Sequence, residues 1–192
     1  MAGGFLGRLR AIFAGAAPAD TGPVREIFVD EDEYGEIEVL PAAMADWCAA
    51  EFRKIAAFAE AHQAPGGAGW TDIYLRPPAP RRLADIRMPL APTLKVLRAR
   101  LPAFDRVVTG SYSAPEPIEN ARAFGASPLA AVVVIGDDAT DIVRSIILVL
   151  RDDGDAAADV MAALAALASP EPLVAVDWLR GNLVQIQRGV PE

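Results

Sequence analysis

Apolar side chains recur every three or four residues along four stretches of the chain, which predicts four amphipathic helices. The longest begins near Pro41, a residue suited to the first turn of a helix, and ends at His62 before the breaker Pro65-Gly-Gly. The other three cover residues 4–14, 92–101 and 155–167, and a further short helical piece is predicted around residues 118–124.

Runs of β-branched and aromatic residues, bounded by Gly, Pro, Asn or Asp, predict strands, and neighbouring runs predict hairpins. The near-continuous apolarity of the run 129–135 and of the run after it indicates central positions in a sheet. Single strands are predicted at residues 70–76 and 104–113. Hairpins are predicted from residues 24–30 with 36–40, from 129–135 with 142–150, and from 173–178 with 183–187.

Two stretches of the chain, residues 25–76 and 129–178, are predicted to share one order of elements: strand, acidic turn, strand, helix, strand. A pseudo-duplicated ββαβ arrangement is therefore one architectural hypothesis. The predicted fold class is α+β, with a mixed or antiparallel sheet built from hairpins and two to four packed helices.

The composition indicates a folded chain, because 53% of the 192 residues are apolar and only 23% are charged. We expect residues 24–192 to form a single α+β domain, and a division into two halves, 24–113 and 114–192, is the alternative. Residues 1–23 are expected to be a short amphipathic helix and a flexible linker. Because Arg8 and Arg10 interrupt its apolar stretch, we interpret this segment as uncleaved rather than as a signal peptide.

The single cysteine, Cys48, and the single histidine, His62, exclude an internal disulfide and an ordinary Cys/His zinc site. Cys48 is expected in the apolar stripe of its helix, and His62 at the helix C-terminus, where the helix dipole favours a cation. The three tryptophans, Trp47, Trp70 and Trp178, are expected in the core. No apolar run reaches the length of a membrane span, so we expect a cytoplasmic protein without integral membrane association.

The net charge of −8 argues against nucleic acid as the main ligand, since phosphate binding needs a basic face. The chain has no nucleophile elbow, no P-loop, no dinucleotide-binding fingerprint and no zinc-protease motif. We therefore predict no catalytic residue, no cofactor and no metal site. Paired carboxylates, which perform acid–base chemistry without histidine, stay open as an alternative.

The densest feature of the sequence is the segment Asp30–Glu38, which has six acidic residues and a tyrosine in a predicted hairpin turn. Its acids do not follow the ligand spacing of an EF-hand loop. Two interpretations stay open: a solvated hairpin tip, and an acidic docking surface on which Tyr34 is the anchor. With a second acidic turn after residue 136, the candidate partner-binding residues are Asp30, Glu31, Asp32, Glu33, Tyr34, Glu36, Asp137, Asp138 and Asp141.

Basic side chains gather in the middle of the chain. Residues 76–106 contain eight Lys or Arg against two Asp, so this segment has a net charge of +6. It either pairs with the acidic segment inside the fold or forms a second polar binding face.

The residues Val24-Arg-Glu-Ile-Phe-Val-Asp-Glu-Asp-Glu-Tyr-Gly-Glu-Ile-Glu-Val-Leu-Pro41, the helix after them and Gly69-Trp-Thr-Asp-Ile-Tyr-Leu-Arg76 resemble small bacterial immunity proteins of polymorphic toxin systems. The resemblance consists of small size, acidity, a mixed α+β layout and the absence of catalytic motifs. It implies a stoichiometric inhibitor that covers the active site of a toxin, with acidic side chains facing a basic toxin surface.

These observations predict a non-enzymatic protein-binding module whose partner has a basic surface. Two alternatives of other classes stay open. One is a small enzyme that uses carboxylates, and the other is a peripheral membrane or complex-assembly protein that uses residues 4–14 as an anchor.

Overall fold

The computed structural model describes residues 24–30, 36–67, 69–111, 113–151 and 154–186. The helix and linker predicted within residues 1–23 lie outside this part of the chain. Two short 3₁₀ helices, Ala42–Met44 and Pro65–Gly67, flank the first α-helix. The other elements are β1 (Glu26–Phe28), β2 (Ile37–Pro41), α1 (Ala45–Ala61), α2 (Leu90–Arg100), β3 (Arg106–Ser111), β4 (Ala114–Pro117), β5 (Ala121–Ser127), β6 (Ala130–Asp137), β7 (Ile142–Leu150), α3 (Asp155–Ala165), β8 (Leu173–Asp177) and β9 (Asn182–Ile186).

The larger of two sheets has six strands in the order β5-β6-β7-β2-β8-β9, and every neighbouring pair is antiparallel. The smaller sheet has the order β1-β3-β4, with β1 parallel to β3. The predicted α+β class is confirmed, and so are the hairpins β6–β7 and β8–β9. Strand β2 lies between β7 and β8, so one strand from the first quarter of the chain is inserted among strands from its second half.

Both faces of the larger sheet are covered, which explains the near-continuous apolarity of its central strands. On one face, Val134 and Ile146 pack under α2 and α3. On the other face, Val133 and Ile147 pack against the smaller sheet, and Val176 and its neighbours pack against α1. The molecule is therefore a layered structure in which α1 and the smaller sheet lie side by side.

The hairpin predicted from residues 24–30 and 36–40 is wrong. β1 pairs with β3 in the smaller sheet, whereas β2 pairs with β7 and β8 in the larger one. The buried side chains of the two strands account for this separation. Ile27 and Val29 pack in the core between the two sheets, whereas Leu40 packs beneath α1. The acidic segment between them therefore connects two sheets instead of turning a hairpin.

Two further predictions of secondary structure are wrong, and the duplication hypothesis fails with them. Residues 118–124 are not helical, because the chain enters β5 at Ala121, and Ala123 and Phe124 are buried as strand residues. Residues 70–76 form no sheet strand; only Trp70 makes an isolated bridge, to Gln63. The element order of residues 25–76 thus does not match that of residues 129–178.

Candidate functional site

Helix α1 carries an acidic side chain on its buried face. Glu51 follows Cys48 by one turn, on the stripe that packs against β2 and β8, and both side chains are fully buried. A buried carboxylate needs partners, because an unpaired charge in an apolar environment is costly. The hydroxyl of Tyr74 donates to Glu51 Oε1, and Lys54 Nζ donates to Oε2 over 2.9 Å.

These contacts shift the acidity of each group in the direction expected for a charged hydrogen-bonded network. The Tyr74 hydroxyl, followed by Lys54, holds the pKa of Glu51 below its ordinary value of 4.5, although burial opposes the shift. The Glu51 carboxylate in turn raises the pKa of Tyr74 and of Lys54, chiefly through the hydrogen bonds. Glu51 is therefore a charged anchor for whatever carries Tyr74.

Tyr74 lies in residues 70–76, named here the extended segment. The chain bends at residues 71–72 and has no helix, turn or bend from Ile73 to Arg76, and the segment is attached to the fold at both ends and in the middle. At the start, the backbone N–H of Thr71 donates to the His62 carbonyl over 2.8 Å. Tyr74 holds the middle. At the end, Arg76 pairs with Glu38 over 3.0 Å, and its guanidinium lies 3.9 Å from the ring centroid of Trp178.

Between these attachments the extended segment presents apolar side chains to solvent. Because side chains alternate in extended backbone, Ile73 and Leu75 point away from the contact that Tyr74 makes with α1. Their exposed fractions are 79% and 86%, and that of Trp70 is 63%. Large apolar side chains exposed together on one segment are unusual on a monomer and typically mark an interaction surface.

The backbone in the second half of the segment is also unpaired. Within the part of the chain that the structure describes, residues 74–79 make no backbone hydrogen bond to another backbone group. Pro77 and Pro78 contribute to this state, since each lacks an N–H and restricts the residue before it to extended conformations. This part of the segment is thus held in place by side chains and not by pairing within a sheet.

An apolar groove runs between α1 and the extended segment. Its volume is about 660 Å³, within the range of sites that hold small molecules or the anchor side chains of a partner. Asp72 is the one charged residue of its lining, and its Oδ1 accepts from the backbone N–H of Ile73 over 2.8 Å. The lining consists of Ile55, Phe58, Ala59, Trp70, Thr71, Asp72, Ile73 and Tyr74.

Comparison of this chain with protein-family models, with curated proteins and with solved structures gives no match. Among the described residues, no group of three or more His, Cys, Asp or Glu side chains is arranged to hold a metal ion. Helices in the same part of the chain are all too short or too polar to cross a membrane.

Three of the predicted docking residues lie at the β6–β7 turn and already have partners within the fold. Asp137 pairs with Arg144 over 2.6 Å, and this ion pair lowers the pKa of the Asp137 carboxyl. Asp138 accepts two hydrogen bonds from Arg122. Asp141 Oδ1 accepts a hydrogen bond over 2.8 Å from the backbone N–H of Ala91, which lies in the first turn of α2.

The remaining predicted docking residues belong to the acidic segment. Asp30 and Glu36 are described, on either side of residues 31–35, and the Glu36 carbonyl accepts from the Trp178 N–H over 2.8 Å. Glu31, Asp32, Glu33 and Tyr34 lie outside the described residues. The docking role of this segment stays a prediction.

The basic residues of the middle segment pair within the fold at several points. Besides Arg76 with Glu38, Arg106 pairs with Glu26 over 3.3 Å, and Arg81 pairs with Glu171. Glu38 belongs to the acidic segment, so among the described residues the predicted internal pairing of the two segments exists at the contact of Arg76 with Glu38.

The groove is not predicted from the sequence, because the sequence pattern places Trp70 in the core and residues 70–76 in a sheet. Trp178 is indeed buried, and its ring packs edge-on against Phe52 at 5.0 Å. The signal that distinguishes Trp70 is the sequence Pro77-Pro78 directly after the alternating residues, which makes ladder pairing unfavourable. A second signal was Glu51, a charged residue on an otherwise apolar helix stripe.

Proposed function

We propose that this protein is a non-enzymatic protein-binding module, and that the extended segment with its apolar groove is the binding site. The observation that carries the proposal is the combination, on one segment, of an unpaired extended backbone with outward-facing Ile73 and Leu75. The partner binds as an added β-strand: its backbone pairs with residues 74–76 and its alternate side chains enter the groove.

The anchoring of the extended segment supports this mode of binding. A strand that is already held at Thr71, Tyr74 and Arg76 loses little conformational freedom when a partner strand pairs with it. The same three attachments keep the backbone in the extended conformation that a ladder requires.

The chemistry of the groove defines the partner segment. Aliphatic and aromatic groups from Ile55, Phe58 and Trp70 form most of the lining, so alternate residues of the partner are apolar. Asp72 supplies the single negative charge, and its Oδ2 accepts no hydrogen bond among the described residues. A Lys or Arg beside the apolar residues of the partner complements this carboxylate, in keeping with the net charge of −8.

Selection of peptides displayed on phage tests the proposal. We expect enrichment of segments with alternating apolar residues and a neighbouring Lys or Arg. Synthetic versions of a selected peptide should lose binding when alternate backbone nitrogens are methylated, because strand addition uses those N–H groups. Methylation of the intervening nitrogens, which face away from the ladder, should have much less effect.

Two matched variants locate the binding site. Leu75→Asp places a charge on the extended segment, and Leu179→Asp places one on the β8–β9 turn, where Leu179 is 73% exposed. Leu75→Asp should abolish binding of the selected peptide, whereas Leu179→Asp should preserve it. Equal loss in both variants, or binding that survives Leu75→Asp, contradicts the proposal.

A more specific form of the proposal identifies the partner as a bacterial toxin. Its support is the resemblance of residues 24–41 and 69–76 to immunity proteins, and the second of these stretches contains the extended segment. Co-expression with a toxin domain encoded beside this gene should restore growth, and Leu75→Asp should remove the protection while Leu179→Asp retains it. If growth still arrests when the unaltered protein is co-expressed, the toxin is not its partner. The more general proposal of a protein-binding module is then decided by the peptide selection alone.

A further inference from the structure

A second concavity lies where the larger sheet opens between β2 and β7. β2 pairs with β8 through five residue pairs but with β7 through one, Glu38 with Ile147. Beyond that pair, residues 88–89 take the place of β2, and the Val143 N–H donates to the Met88 carbonyl over 2.9 Å. The two strands therefore diverge, and the chain after the extended segment fills only part of the space between them.

The resulting arginine cleft has a volume of about 320 Å³. Three arginines and one glutamate are its charged residues, so positive charge is in excess. Val39 and Leu83, both nearly fully buried, belong to its apolar base. The cleft is lined by Glu38, Val39, Leu40, Arg76, Pro78, Ala79, Arg82, Leu83, Arg144 and Ser145.

The negative charge of the cleft is already neutralised. Glu38 accepts from Arg76 over 3.0 Å and from the indole N–H of Trp178 over 2.8 Å. Because Arg76 also stacks on Trp178, these three side chains form a fixed wall of the cleft. A carboxylate held in this way repels an incoming anion much less than a free one does.

Donors, in contrast, are left over. The Arg82 guanidinium and the Ser145 hydroxyl have no hydrogen-bond or ion-pair partner among the residues described. The contact of Arg82 with Asp85 uses the backbone N–H of Arg82 and leaves its side chain unpaired. Arg144 pairs with Asp137 through one of its nitrogens, Nη2, and keeps other N–H groups for a further acceptor. A ligand with several acceptor oxygens and negative charge can use these remaining donors.

We propose that the arginine cleft binds an oxyanion, the phosphate or carboxylate group of a small molecule. The anion lies between Arg82 and Arg144 and accepts from both guanidinium groups, and Ser145 donates a further hydrogen bond. Both arginines are exposed, Arg144 to 63%, so the anion binds at the water-accessible mouth of the cleft above the buried base. This cleft shares Arg76 with the end of the extended segment but none of the lining of the apolar groove, and its proposed ligand does not depend on strand addition.

Titration of the ¹⁵N-labelled protein with inorganic phosphate, succinate and chloride at equal ionic strength tests the proposal. Chemical shift changes with phosphate or succinate should be saturable and confined to residues 38–40, 76–83 and 144–145. A response to phosphate alone identifies a phosphate site, and a response to succinate alone identifies a carboxylate site. Chloride should produce only small and dispersed changes.

Two substitutions of one arginine each distinguish the cleft from general charge. Arg82→Gln should weaken binding about tenfold, the loss expected for one charge-assisted hydrogen bond. Arg53→Gln removes an equal charge from an exposed position on α1 outside the cleft and should leave the affinity within about twofold. Equal weakening by the two variants, or shifts that chloride reproduces, overturns the proposal.

Discussion

Replacement of Glu51 by Gln tests the anchor beneath the apolar groove. The substitution keeps the size of the side chain and an oxygen that accepts from Tyr74, but it removes the negative charge and points an amide N–H₂ toward Lys54. The Glu51 side chain has no exposed surface, because Tyr74 and Lys54 cover it, and Lys54 itself is 62% exposed.

The size of the effect follows from the change of a charged acceptor into a neutral one. A hydrogen bond to a charged group contributes about 1.5–3 kcal/mol to stability and a neutral one about 0.5–1.5 kcal/mol, so Glu51→Gln should cost about 1–1.5 kcal/mol. With a urea dependence of roughly 2 kcal/mol/M, the midpoint of unfolding should fall by about 0.6 M at pH 7. Tryptophan fluorescence, dominated by buried Trp178 and half-buried Trp47, follows the transition.

The stability difference between the unaltered protein and Glu51→Gln should decrease as the pH is lowered. The pKa of Glu51 is lowered in the folded protein, so its contribution to stability is complete above its ordinary pKa of 4.5. That contribution disappears as the pH falls through the folded pKa, because the protonated carboxyl then resembles the amide of Gln. The difference between the two proteins should therefore be complete at pH 7 and should decrease as the pH falls below 4.5 toward the lowered pKa of folded Glu51.

The matched control is Glu60→Gln, the same substitution at an exposed position of the same helix. It should change the free energy of unfolding by less than about 0.5 kcal/mol at pH 7 or at pH 3. Equal stability of the two variants, or a deficit of Glu51→Gln that is unchanged at pH 3, would contradict the role of the charged Glu51 carboxylate as an anchor.

Three further predictions concern the rest of the fold. Gly125→Ala should destabilise the protein by at least about 2 kcal/mol in urea unfolding, because the added Cβ would lie 2.3 Å from the Ala130 carbonyl oxygen; wild-type stability would contradict this contact. Thr109→Val should raise stability by about 1 kcal/mol, since the Thr109 hydroxyl is buried without a partner among the described residues; a loss would indicate one. Cys48, whose pKa burial raises to about 11, should resist iodoacetamide at pH 8 until urea unfolds the chain; rapid labelling of the native protein would refute its burial.

The elements that the sequence predicted correctly are those whose pattern is local. The stripe of α1 and the two apolar runs of β6 and β7 carry their periodicity within a few residues, and the short turns between consecutive strands make hairpin pairing the natural outcome. The stripe of α2 is likewise read from adjacent residues, whereas Asp155 is the first residue of α3 and does not cap it with its side chain. Burial of both sheet faces also follows from the composition of β6 and β7.

Predictions that depended on the choice of a distant partner were wrong. Residues 24–30 and 36–40 look like a hairpin, yet their pairing is decided by β3 and β8, which lie far along the chain. The alternation of residues 70–76 predicted a strand, but the chain bends at residues 71–72 and no sheet strand pairs with the segment, which the local sequence does not reveal. The buried position of Glu51 was equally hidden, since it depends on Tyr74, which lies 23 residues away.

The placement of β2 between β7 and β8 has a consequence for synthesis on the ribosome. About 130 residues separate the end of β2 at Pro41 from the start of β8 at Leu173, and the apolar face of α1 packs on both strands. At typical elongation rates the nascent chain carries that face uncovered for roughly 7 to 26 seconds. Until the last strands emerge, α1 is a substrate for chaperones, and production of the protein should be more sensitive to chaperone supply than its final stability indicates.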